Sequence, residues 1–258
     1  MQDKFGGTQR LYSKQGLEQL KKSSVTIIGI GGVGSWIAEA LARTAVGHLT
    51  LIDMDDICVT NTNRQIQATN ETIGQLKVSV VAKRIQSINE ECRVTAIVDF
   101  INTKNFSQYI NPKTDYVVDA IDSARTKAAL IAYCKRNKIK IITIGGAGGQ
   151  IDPLKITISD LSRSWQDPLS AKVRNELRRN FNFSKNPKRR FGIECVYSTE
   201  QLIYPSKNGT VTYEKPVRES SVKLDCQEGI GASVMVTSTF GMVTAARIIN
   251  KLIEIKLV

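Results

Sequence analysis

An apolar run over residues 25–30 meets three glycines, Gly29, Gly31 and Gly34, spaced G-x-G-x-x-G, and passes into a helical pattern. Trp36, Ile37, Ala40 and Leu41 fall at i, i+3, i+4 spacing, the stripe of a helix that packs on a sheet. A second apolar run over 49–52 ends on Asp53. Few folds accept this order. A strand that feeds a glycine turn and a helix, and then a parallel strand, is the opening unit of a Rossmann-like sheet. The glycines let the backbone approach a phosphate, and the helix turns its N-terminus toward it. Asp53 follows Gly29 by 24 residues, a distance suited to an acid that holds a ribose. On these residues alone, a nicotinamide cofactor and ATP are equally well served.

Strand and helix go on alternating. Residues 9–20, opening with Arg10, have rough helical spacing. Helices are expected over 77–88, with Val78, Val81, Ala82 and Ile85 inward, and over 125–137, with Ala128, Ile131 and Ala132 inward. Strands are expected over 93–100, 116–121 and 140–144, the last ending in the glycine run 145–149. Such alternation predicts an α/β fold with a doubly wound, mostly parallel sheet. After Pro153 the rhythm changes to a strand over 156–158, a basic helix over 169–181 and a polar, basic loop over 182–190. Short strands over 202–204 and 210–213 flank the turn residues Lys207, Asn208 and Gly209, and a long helix over 232–255 follows. With no internal repeat or low-complexity linker, one domain over 1–258 is expected: a nucleotide-binding half (1–150) and a decorated basic half (151–258).

The net charge of +12 suggests a polyanionic partner. Nine Lys/Arg stand against Asp167 and Glu176 between Arg163 and Arg190, so +7 of that excess lies in 28 residues. The five cysteines, Cys58, Cys92, Cys134, Cys195 and Cys226, are scattered and form no C-x-x-C. With a polar N-terminus lacking a signal peptide, they point to a reducing cytoplasm. The single histidine, His48, reads as a turn residue, which argues against histidine-base or multi-histidine metal chemistry. Residues 229–246 carry no charge. Their glycines, serines and threonines favour a buried helix that closes the core over a membrane span.

Beyond Asp53 stand Asn61, Asn63, Arg64 and Lys77, which a dinucleotide fingerprint does not require. A triphosphate does call for further cations, and for a metal to gather its charge. Asp122 sits at the carboxyl end of the fourth expected strand, where ligands of such sheets bind and where a carboxylate suits Mg²⁺. Taken singly, Lys77 reads equally as a surface charge, Asp122 as a helix N-cap and Asn61 as a turn residue.

The run GIGGVGS, then LTLIDMDDICVTNTNRQ, IGQLK ending on Lys77 and VVDAIDS resembles the ubiquitin-activating-enzyme-like adenylyltransferases. That superfamily includes the enzymes that adenylate the molybdopterin and thiamine sulfur carriers. The resemblance implies attack of a carboxylate on the α-phosphate of ATP. It assigns the nucleotide to Gly29, Gly31, Gly32, Gly34, Asp53, Asp55, Asn61, Arg64, Gln65, Lys77, Asp122 and Ser123. Within this set Asp53 would hold the ribose, Asn61, Arg64 and Lys77 the phosphates, and Asp122 the Mg²⁺. Arg10, Arg64, Lys77 and Asp122 would serve catalysis, with Arg10 reaching the phosphates of a neighbouring subunit in a homodimer.

The paired C-x-x-C motif of the sulfur-carrier enzymes is missing. GGAGGQIDP, SWQDPLSAKVRNELR and CVYSTE are instead similar to a narrower group, the dehydratases of threonylcarbamoyladenosine beside the tRNA anticodon. That resemblance implies a tRNA partner, an adenylated threonyl carboxylate and ring closure by the substrate's own ureido nitrogen. It also suggests contact with a cysteine-desulfurase sulfur-acceptor protein. Lys172, Arg174, Arg178, Arg179, Lys185, Lys188, Arg189 and Arg190 are the cations expected to meet tRNA phosphates. Trp165, Phe181 and Phe183 would stack on bases or belong to the core. Cys195 has no assigned role, and Cys226, before a Gly-rich turn, is a sulfur or thioester acceptor or a plain thiol. A sulfur-carrier adenylyltransferase and a nicotinamide-dependent oxidoreductase are the competing readings.

Overall fold

The computed structural model describes residues 4–206, 208–215 and 230–253. Cys226, Lys207 and the end of the expected last helix lie outside them. The chain opens with α1 (Gly6–Lys22), which leads into β1 (Ser24–Ile28). Next come α2 (Gly34–Arg43), β2 (His48–Ile52), α3 (Lys77–Ile88) and β3 (Arg93–Ile97). A short α4 (Phe106–Tyr109) precedes β4 (Tyr116–Asp119), α5 (Ala124–Arg136) and β5 (Ile141–Ile144). The second half adds β6 (Ile156–Asp160), α6 (Pro168–Asn180), β7 (Glu194–Ser198), the small hairpin of β8 (Tyr204–Pro205) with β9 (Val211–Thr212), and α7 (Val234–Leu252).

Seven strands form one sheet in the order β3-β2-β1-β4-β5-β7-β6. All neighbours are parallel except the antiparallel edge pair of β6 with β7. This is the expected doubly wound α/β architecture. A parallel sheet covered on both faces needs apolar residues pointing both ways. In β1, Val25 and Ile27 join the layer formed with α2, α3 and α7, while Ile28 joins that of α4, α5 and α6. The uncharged stretch before Arg247 belongs to the first layer: Val236, Phe240 and Ala245 of α7 are buried there. Among the described residues, no helix is long and apolar enough to cross a membrane.

Several boundaries differ from expectation for a shared reason. The strands expected over 25–30 and 116–121 stop at Ile28 and Asp119, which pair with each other at the carboxyl edge. Gly29 then turns the chain out of the sheet at φ +90°. His48 is no turn residue; it opens β2, paired with Ser24 and Arg93. Its Nε2 lies 3.1 Å from Thr95 Oγ1, and its Nδ1 accepts from Arg93 at 3.0 Å. Burial and the Arg93 charge both lower its pKa. The strand β7 has no counterpart among the expected ones. Five residues bounded by polar groups carry little pattern, yet Cys195–Ser198 are all buried because β5 and β6 flank them.

Two aspartates set the second half against the sheet. Asp167, with Pro168 after it, caps α6 in the way an Asp-Pro start favours. Its Oδ1 accepts from Leu169 N at 2.9 Å and Ser170 N at 3.1 Å, and its Oδ2 from Gly146 N at 3.1 Å. The start of α6 is thereby fastened to the carboxyl end of β5. At the far end, Asp160 accepts from Phe191 N at 2.9 Å and Gly192 N at 2.7 Å, gripping the end of the basic loop. Burial tends to raise the Asp160 pKa, but the donors from Ser162, Phe191 and Gly192 outweigh it and hold it low. A folded pKa below the unfolded one gives stability that is full above the unfolded value of about 4 and fades as pH falls below it, through the lower folded one. Asp160→Asn should therefore lower stability at neutral pH by about 1–3 kcal/mol and flatten the acid side of the profile. Urea unfolding at a series of pH values checks this; matching profiles for parent and variant would refute it.

Candidate nucleotide-binding site

The exits of β1, β2 and β4 converge at the carboxyl edge of the sheet. Gly29 donates its N–H to Ile52 O at 2.9 Å, and a β-carbon on it would stand 2.8 Å from Ala120 O. Gly34 opens α2 so close to β1 that a β-carbon there would lie 1.8 Å from Gly29 O. Only glycine fits either place. Asp53, just past β2, takes the N–H of Ile30 on Oδ2 at 2.6 Å and that of Asp55 on Oδ1 at 2.9 Å. This acid, the expected ribose ligand, is thus locked to the rim of the glycine turn.

The segment after Asp53 folds back over the glycines. Lys77 starts α3 with its side chain only 8% exposed, and its Nζ meets Asp55 Oδ2 at 2.7 Å. The surface-charge reading of Lys77 fails; Asp55 orients it instead. Asn61 is buried, and its Oδ1 accepts from Cys58 N at 3.1 Å, so its amide oxygen shapes the turn. The aliphatic stem of Arg64 packs over Gly32, and the Gln65 amide lies beside Gly31. Gln67, which the sequence did not single out, ties the two together: its Nε2 donates to Gln65 Oε1 and to Ile30 O, both at 2.9 Å. Arg64 O in turn accepts from Trp36 Nε1 at 3.0 Å.

On the β4 side, Asp122 is exposed beside this rim. It does not cap α5. Ser123 takes that place, its Oγ accepting from Thr126 N at 3.4 Å. Beneath the turn lies a polar cluster absent from the expected site. Lys127, 1% exposed, pairs with Asp119, 0% exposed, at 3.0 Å. Its Nζ also donates to Asp119 O and Ile121 O, each at 3.0 Å, while Thr143 Oγ1 donates to Asp119 Oδ2 at 2.6 Å. These bonds hold the backbone that presents Asp122. The available signal was an acid ending an apolar strand eight residues before a lysine inside the next helix.

Other expected residues lie elsewhere. Arg10 is exposed on α1 with no hydrogen bond or ion pair to Arg64, Lys77 or Asp122. Because α6 starts at the carboxyl edge and spans 13 residues, the basic loop beyond it lies about 20 Å away at the amino edge, beside the start of β7. Lys172, Arg179, Lys185, Lys188, Arg189 and Arg190 are exposed. Arg174 and Arg178 are half-buried and engaged internally, Arg174 with Ser164 Oγ and Arg178 with Ser184 O and the face of Phe191. Burial, reinforced by Arg178, lowers the Arg174 pKa. Phe181 and Phe183 pack against the core, whereas Trp165 is 54% exposed. Cys195 is fully buried, and burial pushes its thiol up to about 12, which makes it an unreactive core thiol.

Fold and site together define a Rossmann-like nucleotide-binding protein whose glycine turn is flanked by two cations. Residues 7–257 match the ThiF family, and the chain belongs to that family. It is 53% identical over 249 residues to the tRNA threonylcarbamoyladenosine dehydratase of Escherichia coli (strain K12), covering 96% of this chain and 93% of that protein. Identity to the Haemophilus influenzae enzyme of the same name is 53% over 255 residues, 99% of this chain and 95% of the relative. The crystal structure of E. coli tRNA N6-threonylcarbamoyladenosine dehydratase in complex with ATP matches with a TM-score of 0.86 at 50% identity, covering 96% of this chain and 93% of that one.

Removing one partner of a buried pair strands the other charge. Lys127→Met should cost about 3–5 kcal/mol, whereas Asp122→Ala, at an exposed position, should cost under about 0.5 kcal/mol. Chemical denaturation of the two variants measures the difference; equal losses would contradict this account of the turn.

Proposed function

We propose that this chain is an ATP-dependent dehydratase of threonylcarbamoyladenosine in tRNA. The carrying observation is the near full-length likeness to such dehydratases, one of them bound to ATP, in a chain that sets Arg64 over Gly32 and holds Lys77 on Asp55. Likeness through the second half speaks for this reading over an oxidoreductase or a sulfur-carrier adenylyltransferase. The threonyl carboxylate attacks the α-phosphate of ATP, and pyrophosphate leaves. The ureido nitrogen of the same substrate then attacks the acyl carbon and expels AMP, which carries away the oxygen lost as water. Because the nucleophile is internal, the protein's work is positioning and charge stabilisation.

The glycine turn and the start of α2 receive the phosphates, Asp53 the ribose, and Arg64 and Lys77 the charge that develops on pyrophosphate. Asp122, exposed beside the turn, would hold Mg²⁺, an ion that accepts a single protein carboxylate. When bound, the ion gathers the negative charge of the triphosphate. Arg10, exposed on α1, serves the neighbouring site of a homodimer.

Incubation with ATP, Mg²⁺ and tRNA bearing the modified adenosine, followed by digestion and mass spectrometry, tests the reaction. The nucleoside should lose one water, and Asp122→Ala should slow that loss by roughly 100-fold. An unchanged nucleoside in a sample that binds ATP would rule the reading out.

The tRNA is held at both edges of the sheet, with its anticodon loop at the nucleotide and its backbone along the amino edge. Lys135 and Arg136 at the end of α5 adjoin Arg190 there, around a cavity of about 310 Å³ also lined by Phe181 and Phe183. Replacing Arg179, Lys188, Arg189 and Arg190 with alanine should weaken tRNA binding and reduce its salt slope by about 0.7–0.9 for each phosphate no longer neutralised. Arg174→Ala should leave the slope unchanged, because that side chain is turned inward to Ser164. Binding titrations over a range of salt concentrations distinguish the two; equal slopes throughout would remove the loop from the tRNA surface.

A further inference from the structure

Asn63 stands beside Arg64 in the sequence, and nothing in the reaction above uses it. Its amide is engaged at both ends. Arg64 Nη1 donates to Asn63 Oδ1 at 2.9 Å and to Thr60 O at 2.7 Å. Asn63 Nδ2 donates to Ala232 O at 3.0 Å. The orientation of the amide follows from its partners, since a guanidinium can only donate and a carbonyl can only accept.

The consequence for Arg64 is specific. Both hydrogens of Nη1 are taken, whereas Nε and Nη2 make no hydrogen bond within the described residues. Those two groups form the parallel fork with which arginine grips two oxygens of one phosphate. Asn63 and Thr60 therefore fix one side of the guanidinium and leave the gripping side open. The Arg64 backbone is held as well, through Trp36 Nε1 at 3.0 Å and Thr237 Oγ1 of α7 at 3.5 Å.

At its other end, Asn63 reaches the chain just before α7. Ala232 forms a β-bridge with Gly148, and Gly149 N donates to Gly231 O at 2.7 Å. The glycine run 145–149 follows β5, and the cap of α6 is anchored on it through Gly146. One exposed side chain thus spans the gap between the arginine over the nucleotide turn and the loop that starts the second half.

We infer that Asn63 is a positioning residue: it sets the Arg64 fork for the nucleotide phosphates and links that fork, through Ala232, to the glycine loop of the second half. This rests on the reading of Arg64 as a phosphate ligand. The ends of the amide can be separated by substitution. Asn63→Ala removes both bonds. Asn63→Asp keeps an acceptor for Arg64 but cannot donate, and it sets a carboxylate against Ala232 O.

The test measures ATP affinity by calorimetry, and kcat and KM for ATP with modified tRNA, on the full chain. Thermal unfolding is followed in parallel to show that each variant is folded. Asn63→Ala should raise the ATP Kd and KM about tenfold, whereas Asn63→Asp should keep ATP affinity within about twofold of the parent and lower kcat about tenfold. A mere loss of stability would not separate KM from kcat in this way. If Asn63→Ala binds ATP like the parent while Arg64→Ala does not, the inference fails and the phosphate role of Arg64 survives. If Arg64→Ala itself leaves ATP affinity unchanged, the reading of Arg64 falls, and this inference with it. If Asn63→Asp keeps the parent kcat, the link to Ala232 has no function.

Discussion

The carbonyl of Gly29 occupies the space that a β-carbon on Gly34 would need, so the first turn of α2 presses directly against the end of β1. The same Gly29 lies against the Ala120 carbonyl at the exit of β4. Two strands and a helix therefore meet at one point with only backbone between them. The residues expected to meet the nucleotide are arranged around that contact. Asp53 is bound to it through Ile30 N, Arg64 lies over Gly32, and the turn bearing Asp122 leaves from the other side.

Charge is organised in two zones with different physics. At the nucleotide edge the cations are few and held: Lys77 by Asp55, Arg64 by Thr60 and Asn63. Fixed donors cost no reorganisation when charge develops, which is the setting in which electrostatic catalysis is strongest. At the opposite edge the cations are more numerous, and Arg179, Lys185, Lys188, Arg189 and Arg190 are exposed, a setting suited to salt-dependent contact with a polyanion. Asp160 and Asp167, at the two ends of that half, fix the basic loop and α6 relative to the sheet.

Much of the first half was legible because a parallel sheet repeats its grammar: apolar strand, turn, amphipathic helix. The glycines, Asp53, Lys77 and Asp122 stood out in the sequence because they lie beside a strand end or a helix start. Arg64 lies in a turn between elements, and its phosphate contact was expected on the resemblance. The second half was less legible. In β7 a polar frame hides a buried strand, and the helix over 169–181 showed its cations without showing which ones turn inward. Arg174 and Arg178 look like Arg179 in a one-dimensional count. Only the neighbours Ser164 and Phe191 separate them.

By itself, the sequence determined the class of fold and the kind of ligand, because periodicity and glycine spacing are local properties of the chain. Tertiary structure decided the polar partners that lie far apart in sequence, such as Ala232 for Asn63 and Gly146 for Asp167. Thr143 donating to Asp119, Asn63 reaching Ala232, and a basic loop at the edge opposite the glycine turn all depend on which elements lie side by side. Strand order is set by how two helical layers bury a common sheet, and no stretch of residues read alone contains it.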